Sequence, residues 1–463
     1  MLFNSSPFLF VFLPVVLLGF AVCVRWTTTT VTMLFLIGAS LFFYGWWDWR
    51  YLFLLLSSMV FNYLWARLLE SIASGPSARR RMTLGIGVAV NLGLLAYFKY
   101  ANFLVDTVNA VTGSGWRIEH IVLPLAISFF TFEQITYLVD AYRGQVSAHG
   151  VLSYAVFMTF FPRLIAGPIV RPQQMLPQLA GAQPFVFDTD GVAEGLFIFA
   201  VGLFKKVVIA DTIAAYVGPV FDRASTVTFP DGWGAVVAFA LQVYFDFSGY
   251  SDMAIGLARM LNIRLPENFD SPYQARDISM FWRRWHITLS TFLRDYLYIP
   301  LGGNRRGRAR RAINVCVTML LGGLWHGAQW TFVAWGGLHG VFLLVNERWR
   351  RRNTPLPGAL AWLLTFIAVV ASYAVFRAPS FERAGAMLGG MLGVHGFAAY
   401  AIGLHEWKRM LPALGIALCC PNRRQIMQWQ WPGPWLYALS FALLAGWSIL
   451  RLGDPAPFFY FQF

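Results

Sequence analysis

Charge is what this chain has least of. Asp, Glu, Lys and Arg make up 13% of its 463 residues, about half of the roughly 25% found in an ordinary soluble domain, while 57% are hydrophobic. That balance excludes a water-soluble globule and describes a polytopic membrane protein. Continuous apolar runs in place of strict alternation exclude a transmembrane β-barrel. Acidic residues are scarcer than basic ones, 22 against 36, for a net charge of +14. The basic residues gather in short loops, at Arg79-Arg80-Arg81, Arg305 through Arg311, Arg348 through Arg352 and Arg423-Arg424. This is the pattern of cytoplasmic loop charge, not of a nucleic-acid surface. The four cysteines (Cys23, Cys316, Cys419, Cys420) have neither metal-ligand spacing nor a disulfide framework. A G-x-S-x-G elbow, a P-loop, an H-E-x-x-H helix and a dinucleotide-binding glycine pattern are all missing. A serine-nucleophile hydrolase, an ATP-driven pump and a zinc protease therefore lack their marks.

What is present is aromatic and apolar: 17% of the residues are Phe, Trp or Tyr. Segments long enough to span a bilayer recur at 7–24, 31–49, 51–69, 82–99 and 120–139. The first run has no positive region before it and Arg25 after it, so it reads as a retained helix with its N-terminus outside. Segments 152–170, 190–220 and 232–262 are interrupted by Pro, Gly and charge, as at Pro162-Arg163, Pro168 and Lys205-Lys206. Broken backbone at membrane depth is tolerated only where protein or water surrounds it, so short or re-entrant helices round a cavity are expected there. Segment 276–300 is too polar to face lipid and reads as an amphipathic or re-entrant helix. Further spans are expected near 312–346, 358–377, 384–404 and 434–452. The expected fold is an all-α polytopic membrane protein with ~11 transmembrane helices and re-entrant pieces around a central tunnel or funnel. With no repeat and no linker it reads as one integral-membrane domain, 1–463, with N-terminal spans to about 140, a core over about 150–345 and C-terminal spans over about 355–463.

Three histidines stand out in this setting: His286, His326 and His339. Ionisable groups at membrane depth are costly and usually mark function, and imidazole is the side chain best suited to proton transfer near neutral pH. His326 lies in Leu324-Trp325-His326-Gly327, inside an apolar run, where desolvation favours the neutral base. The alternative is a packed histidine satisfied by a carbonyl. His339, 13 residues on, would sit ~20 Å away on another face of one continuous helix, and reads as structural or supporting. His286 follows Trp282-Arg283-Arg284-Trp285. Arg283 and Arg284 either bind the phosphates of a cofactor such as coenzyme A or pair with Asp277 or Asp295. In Tyr244 through Asp252, Asp246 and Asp252 either orient an imidazole or form structural ion pairs. Pro266-Glu267-Asn268-Phe269 reads as a turn.

These motifs resemble the membrane-bound O-acyltransferase superfamily, and within it the membrane subunits of bacterial alginate O-acetyltransferases. The likeness runs through LPLAISFFTFEQITYLVDAYRG (123–144), FPRLIAGPIVRP (161–172), GLFKKVVIADT (202–212), YFDFSGYSDMAIGLARM (244–260), LPENFDSPY (265–273), FWRRWHITLSTFLRDYLYIPLGGNR (281–305) and TMLLGGLWHGAQWTFVAWGGLHG (318–340). It implies transfer of an acyl group from a cytoplasmic thioester to a hydroxyl across the membrane. The donor would be acetyl-CoA or another acetyl thioester, with no bound cofactor and no metal. The acceptor would be an exported, alginate-like polysaccharide or a periplasmic acetyl carrier. D-alanyl, peptidoglycan and cellulose acylation are the variants within the family. The resemblance places the essential histidine at His326 and its partner at His286. Trp325, Asp246, Asp252, Arg283, Arg284, Asn268 and His339 are the expected supporting or tunnel-lining positions, with Arg283 and Arg284 toward the donor. The implied setting is a bacterial inner membrane, with periplasmic acetyl-handling or acetyltransferase proteins and membrane lipids as partners and no nucleic acid. The competing class is an exporter of a lipid-linked sugar or acyl group. Transporters often show matched halves, which this chain does not.

Overall fold

The computed structural model describes residues 1–72, 77–146, 150–181, 184–222, 227–429, 433–453 and 458–459. All regular structure among them is helical. Four helices are long and apolar enough to cross a membrane: Phe8–Trp26, Arg50–Ser71, Ala78–Thr112 and Gly358–Arg377. Thr29–Gly45 and Trp435–Leu450 are shorter apolar helices. The chain forms two compact units, one of residues 1–199 with 253–266 and the other of 200–252 with 267–463.

In the first unit the helix starts are written locally. Thr28 and Ser77 accept backbone N–H groups of Val31 and Arg80 and cap the helices they precede. Phe3, Phe8, Phe12, Phe43 and Phe161 pack ring on ring in the core. Asn62 and Asn91 exchange side-chain hydrogen bonds at 2.7 and 3.1 Å. They join two apolar helices by the polar pairing that lipid favours over an unsatisfied amide. The expected broken region is present at 151–170. Helix Val151–Thr159 gives way to the single turn Phe161–Leu164 and then to irregular backbone. Residues 156–170 are all buried, because Arg163, fully enclosed, pairs with Glu133 and lies over the Phe157 ring. The expected span at 120–139 is instead helix Ile127–Tyr142, buried along most of its length.

Three features depart from the sequence expectations in the second unit and at its edge. Segment 229–260 is one unbroken helix of 32 residues, not an interrupted one. Its charges are neutralised in place, Asp246 by Lys206 at 2.7 Å and Asp252 by Lys205 at 2.6 Å and Arg423 at 2.9 Å. The run 312–346 is two helices, Gly307–His326 and Trp330–Arg350, divided at Gly327–Gln329. They cross where Gly323 and Gly336 meet. A Cβ on Gly323 would lie 2.2 Å from the Phe332 carbonyl oxygen, and one on Gly336 2.1 Å from that of Met319. The run 384–404 is not a span. Helix Phe381–Met391 ends in a loop with Gly393 and Gly396 at φ of 84° and 92°, and the next helix, Leu404–Cys419, begins beyond it.

Candidate functional site

The three histidines fall in the second unit, on elements with different ends. His326 is the last residue of helix Gly307–His326. Its buried ring is enclosed by Trp325, Trp335 and Phe376, with ring centres at 5.1, 5.3 and 5.5 Å. His286 is fully buried between two short helices, Ile278–Arg284 and Ile287–Leu293. The single amphipathic helix expected over 276–300 is therefore broken at the histidine itself. His286 has φ 41° and ψ 55°, a left-handed conformation that costs a non-glycine residue about 1–2 kcal/mol. Such strain persists where the surroundings over-determine it, commonly at functional positions.

The surroundings are specific. Asn268 Oδ1 accepts the Thr288 backbone N–H at 3.3 Å and the Thr288 hydroxyl at 3.0 Å. A backbone N–H can only donate, so the atom facing it is the amide oxygen. His286 Nδ1, 3.0 Å from that oxygen, is therefore the protonated nitrogen, and Nε2 carries the lone pair. Asn268 Nδ2 donates to Ser251 Oγ at 3.1 Å, which holds the amide in this sense. Phe247 closes one side of the imidazole with its ring centre at 4.6 Å. Trp325 lies 6.0 Å away, so one indole neighbours the rings of both His286 and His326.

His339 is equally buried, but both of its nitrogens are engaged. Nδ1 accepts the Trp282 indole N–H at 3.2 Å, so Nε2 holds the proton and donates to Ser372 Oγ at 3.1 Å. Ser372 passes its own proton to the Val369 carbonyl and accepts the Trp335 indole N–H. The separation from His326 expected on a continuous helix does not occur. The break at Gly327–Gln329 folds the second helix back, and Trp335 touches both rings, at 5.3 and 4.7 Å.

The remaining expected positions divide. Trp325 and Asn268 lie at the site. Asp246 and Asp252 do not orient an imidazole. They are ion-paired to Lys206, Lys205 and Arg423, and Asp246 also accepts the Phe459 backbone N–H at 2.8 Å. Arg283 and Arg284 close helix Ile278–Arg284. Of the two acids considered for them, Asp277 caps the Met280 amide and Asp295 pairs with Arg294. Among the described residues no group of three or more His, Cys, Asp or Glu gathers to hold a metal ion. Ser251, Ser372, Trp282, Trp335, Phe247 and Phe376 were not expected. Trp335, four residues before His339 and hence on its helix face, carried a sequence signal, and Trp282, Phe247 and Ser251 lie within motifs already singled out, without a role assigned to them.

Away from the histidines, a cavity of about 920 Å³ opens at the start of helix Gly358–Arg377. Arg276, Asp277, Asn346, Trp349 and Arg350 supply its polar wall, and Phe342 lies in its lining. The Phe342 ring is 5.5 Å from that of His339.

Fold and site together define a helical membrane protein with a buried, aromatic-walled histidine pair. The sequence model of the MBOAT, membrane-bound O-acyltransferase, family matches residues 112–376, a stretch that contains all three histidines. The chain belongs to that family and is an O-acyltransferase. It is 43% identical to the peptidoglycan O-acetyltransferase of Helicobacter pylori over 426 residues, covering 86% of this chain and 80% of the relative. It is 44% identical to the "probable alginate O-acetylase AlgI" of Pseudomonas aeruginosa over 391 residues, covering 83% and 73%. It is 26% identical to the teichoic acid D-alanyltransferase of Streptococcus thermophilus over 281 residues, covering 54% and 68%.

Proposed function

We propose that this enzyme moves an acetyl group from a cytoplasmic thioester, acetyl-CoA or another acetyl carrier, to a hydroxyl of an exported cell-envelope polysaccharide. The names of the relatives that share 43–44% identity support acetyl as the group and a polysaccharide or peptidoglycan as the acceptor class. The observation that carries the chemistry is the His286–Trp325–His326 arrangement. His326 removes the acceptor hydroxyl proton, and the oxygen attacks the thioester carbonyl. The tetrahedral intermediate expels the thiolate, which takes the proton back from the imidazolium. The products are the ester and the free thiol. His286 offers Nε2 to the same proton, or to the hydroxyl that carries it, with Asn268 holding the tautomer.

The cavity beside Arg276 and Arg350 suits the anionic end of the donor. Its volume falls in the ordinary range for ligand pockets, roughly 300–1,000 Å³, and guanidinium groups bind phosphates in paired fashion. The neighbouring Arg348–Arg352 run puts this end in the cytoplasm by the positive-inside rule. Arg25, which follows the first span with no basic residue before it, by the same rule favours a periplasmic N-terminus in a bacterial inner membrane, and a periplasmic acetyl-handling protein is the expected partner. The test is a labelled acetyl-thioester supplied to membranes with acceptor. The wild-type protein releases free thiol and labels the acceptor, whereas an exporter moves the label intact. A His326→Ala protein at normal membrane level that still acetylates contradicts the proposal.

A further inference from the structure

Arg423 belongs to a basic pair that the sequence places with loop charge, yet its side chain is buried, 7% exposed, and ion-paired twice. Nε donates to Asp252 at 2.9 Å and Nη2 donates to Glu267. Lys205 holds the other oxygen of Asp252 at 2.6 Å, so two cations and two carboxylates cancel in one cluster. Pairing is what makes such burial tolerable, and here the choice of carboxylates is specific. Asp252 follows Ser251, and Glu267 precedes Asn268. Ser251 and Asn268 form the hydrogen bond that holds the amide facing His286. Arg423 thus grips the chain neighbour of each member of that pair. It does so from outside the stretch 112–376 that the family model matches.

The residues beside it fasten the same turn. Asn422 Nδ2 donates to Asp270 Oδ1 at 2.7 Å and to Ser271 Oγ at 3.2 Å. The Asn422 side-chain oxygen accepts the Gln425 N–H and caps helix Arg423–Met427. Gln274 Nε2 donates to the Cys420 carbonyl at 3.5 Å. Ser271 has φ 46°, a left-handed conformation that persists only where its surroundings hold it. Backbone hydrogen bonds set this turn in register with the histidine. The Asp270 N–H donates to the Arg284 carbonyl and the Ile287 N–H to the Asn268 carbonyl, both at 2.9 Å and one on each side of His286 in the chain. Residues 420–423 therefore fasten the segment, 267–274, that carries Asn268 to His286.

From these contacts we infer that Arg423 and Asn422 are positioning residues for the transfer: they fix the Glu267–Ser271 turn so that Asn268 presents its oxygen, not its NH2 group, to His286 Nδ1. Neither residue contacts the imidazole. The two ends of an amide are alike in shape, so reversing it exchanges an acceptor for a donor with little steric change. With the amide reversed, His286 accepts at Nδ1 and carries its proton at Nε2, which ends its service as a base there. The clamp holds the amide where Ser251 accepts from Nδ2 and Thr288 donates to Oδ1. A loosened turn draws it away from both. The inference rests on the reading that His286 Nε2 serves acetyl transfer, and it names the residues that keep that nitrogen available.

The test uses the full chain in detergent with isotope-labelled histidine, and His286→Ala identifies the signal of that residue. In nitrogen spectra the wild-type His286 is a single Nδ1–H tautomer. Arg423→Gln shows both tautomers, as does Asn422→Asp, which can still cap its helix. Arg424→Gln, at an exposed neighbour, shows one. In turnover with acetyl-CoA as donor, Arg423→Gln lowers kcat by about five- to tenfold with the donor KM unchanged, the mark of a loss felt only in the transition state. Arg423→Lys, which keeps a charge for one of the two carboxylates, falls between. In an Asn268→Ala background Arg423→Gln lowers kcat by a further factor of less than about two, since changes that act through one contact do not add. A mixture of tautomers in the wild-type protein, or a single Nδ1–H form in both clamp variants, overturns the inference. So do kcat losses that multiply in the double variant, and so does loss of folded protein in all three clamp variants, which shows a structural joint only. Mixed tautomers in the clamp variants alone, with no acetyl transferred by the wild-type protein, uphold the clamp and reject the transfer chemistry instead.

Discussion

His286 and His339 are both fully enclosed, both packed among aromatic rings and both in the second unit. They differ in where their protons go. His339 is a closed link, accepting from Trp282 and donating to Ser372. At His286 the Asn268 oxygen dictates that Nδ1 carries the proton and Nε2 the lone pair. Burial and aromatic packing therefore do not separate a working histidine from a structural one. The direction of the neighbouring hydrogen bonds fixes which nitrogen is basic in each, Nε2 in His286 and Nδ1 in His339, and at His286 it can be read because a backbone amide leaves the Asn268 oxygen no alternative.

The largest effect that tests this comparison is at the proposed base. His326→Ala is expected to lower acetyl transfer by about 10²–10⁴-fold, the usual worth of a positioned acid–base group, with the protein still in the membrane. Next is Asn268→Ala. It leaves His286 in place but frees the tautomer and removes the acceptor of the Thr288 amide, so transfer falls by about tenfold or more while the acceptor KM changes little. His339→Ala should do the reverse. It orphans the Trp282 indole N–H and removes a partner of Ser372, so thermal stability falls by about 1–3 kcal/mol, while transfer per folded molecule stays within a few-fold of wild type. The smallest effect is expected at the donor cavity. Arg276→Ala raises the donor KM several-fold, more at low salt than at high, since a partly exposed cation acts over a Debye length of about 10 Å at 0.1 M.

Much of this could be read before any coordinates. Long apolar runs and arginine-rich loops marked the membrane helices, and the WRRWH and LWHG motifs marked two histidines that the fold brings against the same indole, Trp325. What stayed hidden depended on contacts distant in sequence. Asn268 read locally as part of a turn and was expected at the site only through the family resemblance; its histidine partner, 18 residues on, is set by the fold. The break at His286 was invisible because a lone histidine is only a weak signal for a left-handed φ. The continuity of Phe229–Met260 was hidden because Asp246 and Asp252 looked like interruptions until Lys206, Lys205 and Arg423 neutralised them. The loop over 392–403 was masked by its own apolar composition, which imitates a span although Gly393 and Gly396 turn it.

The most direct measurement compares His286→Ala with His339→Ala in one assay, thiol release from an acetyl-thioester in the presence of acceptor, normalised to folded protein in the membrane. Loss of about a hundredfold or more in His286→Ala, with His339→Ala near wild type, is the predicted result. Equal losses in both, or a greater loss in His339→Ala, would contradict the distinction drawn from their hydrogen bonds.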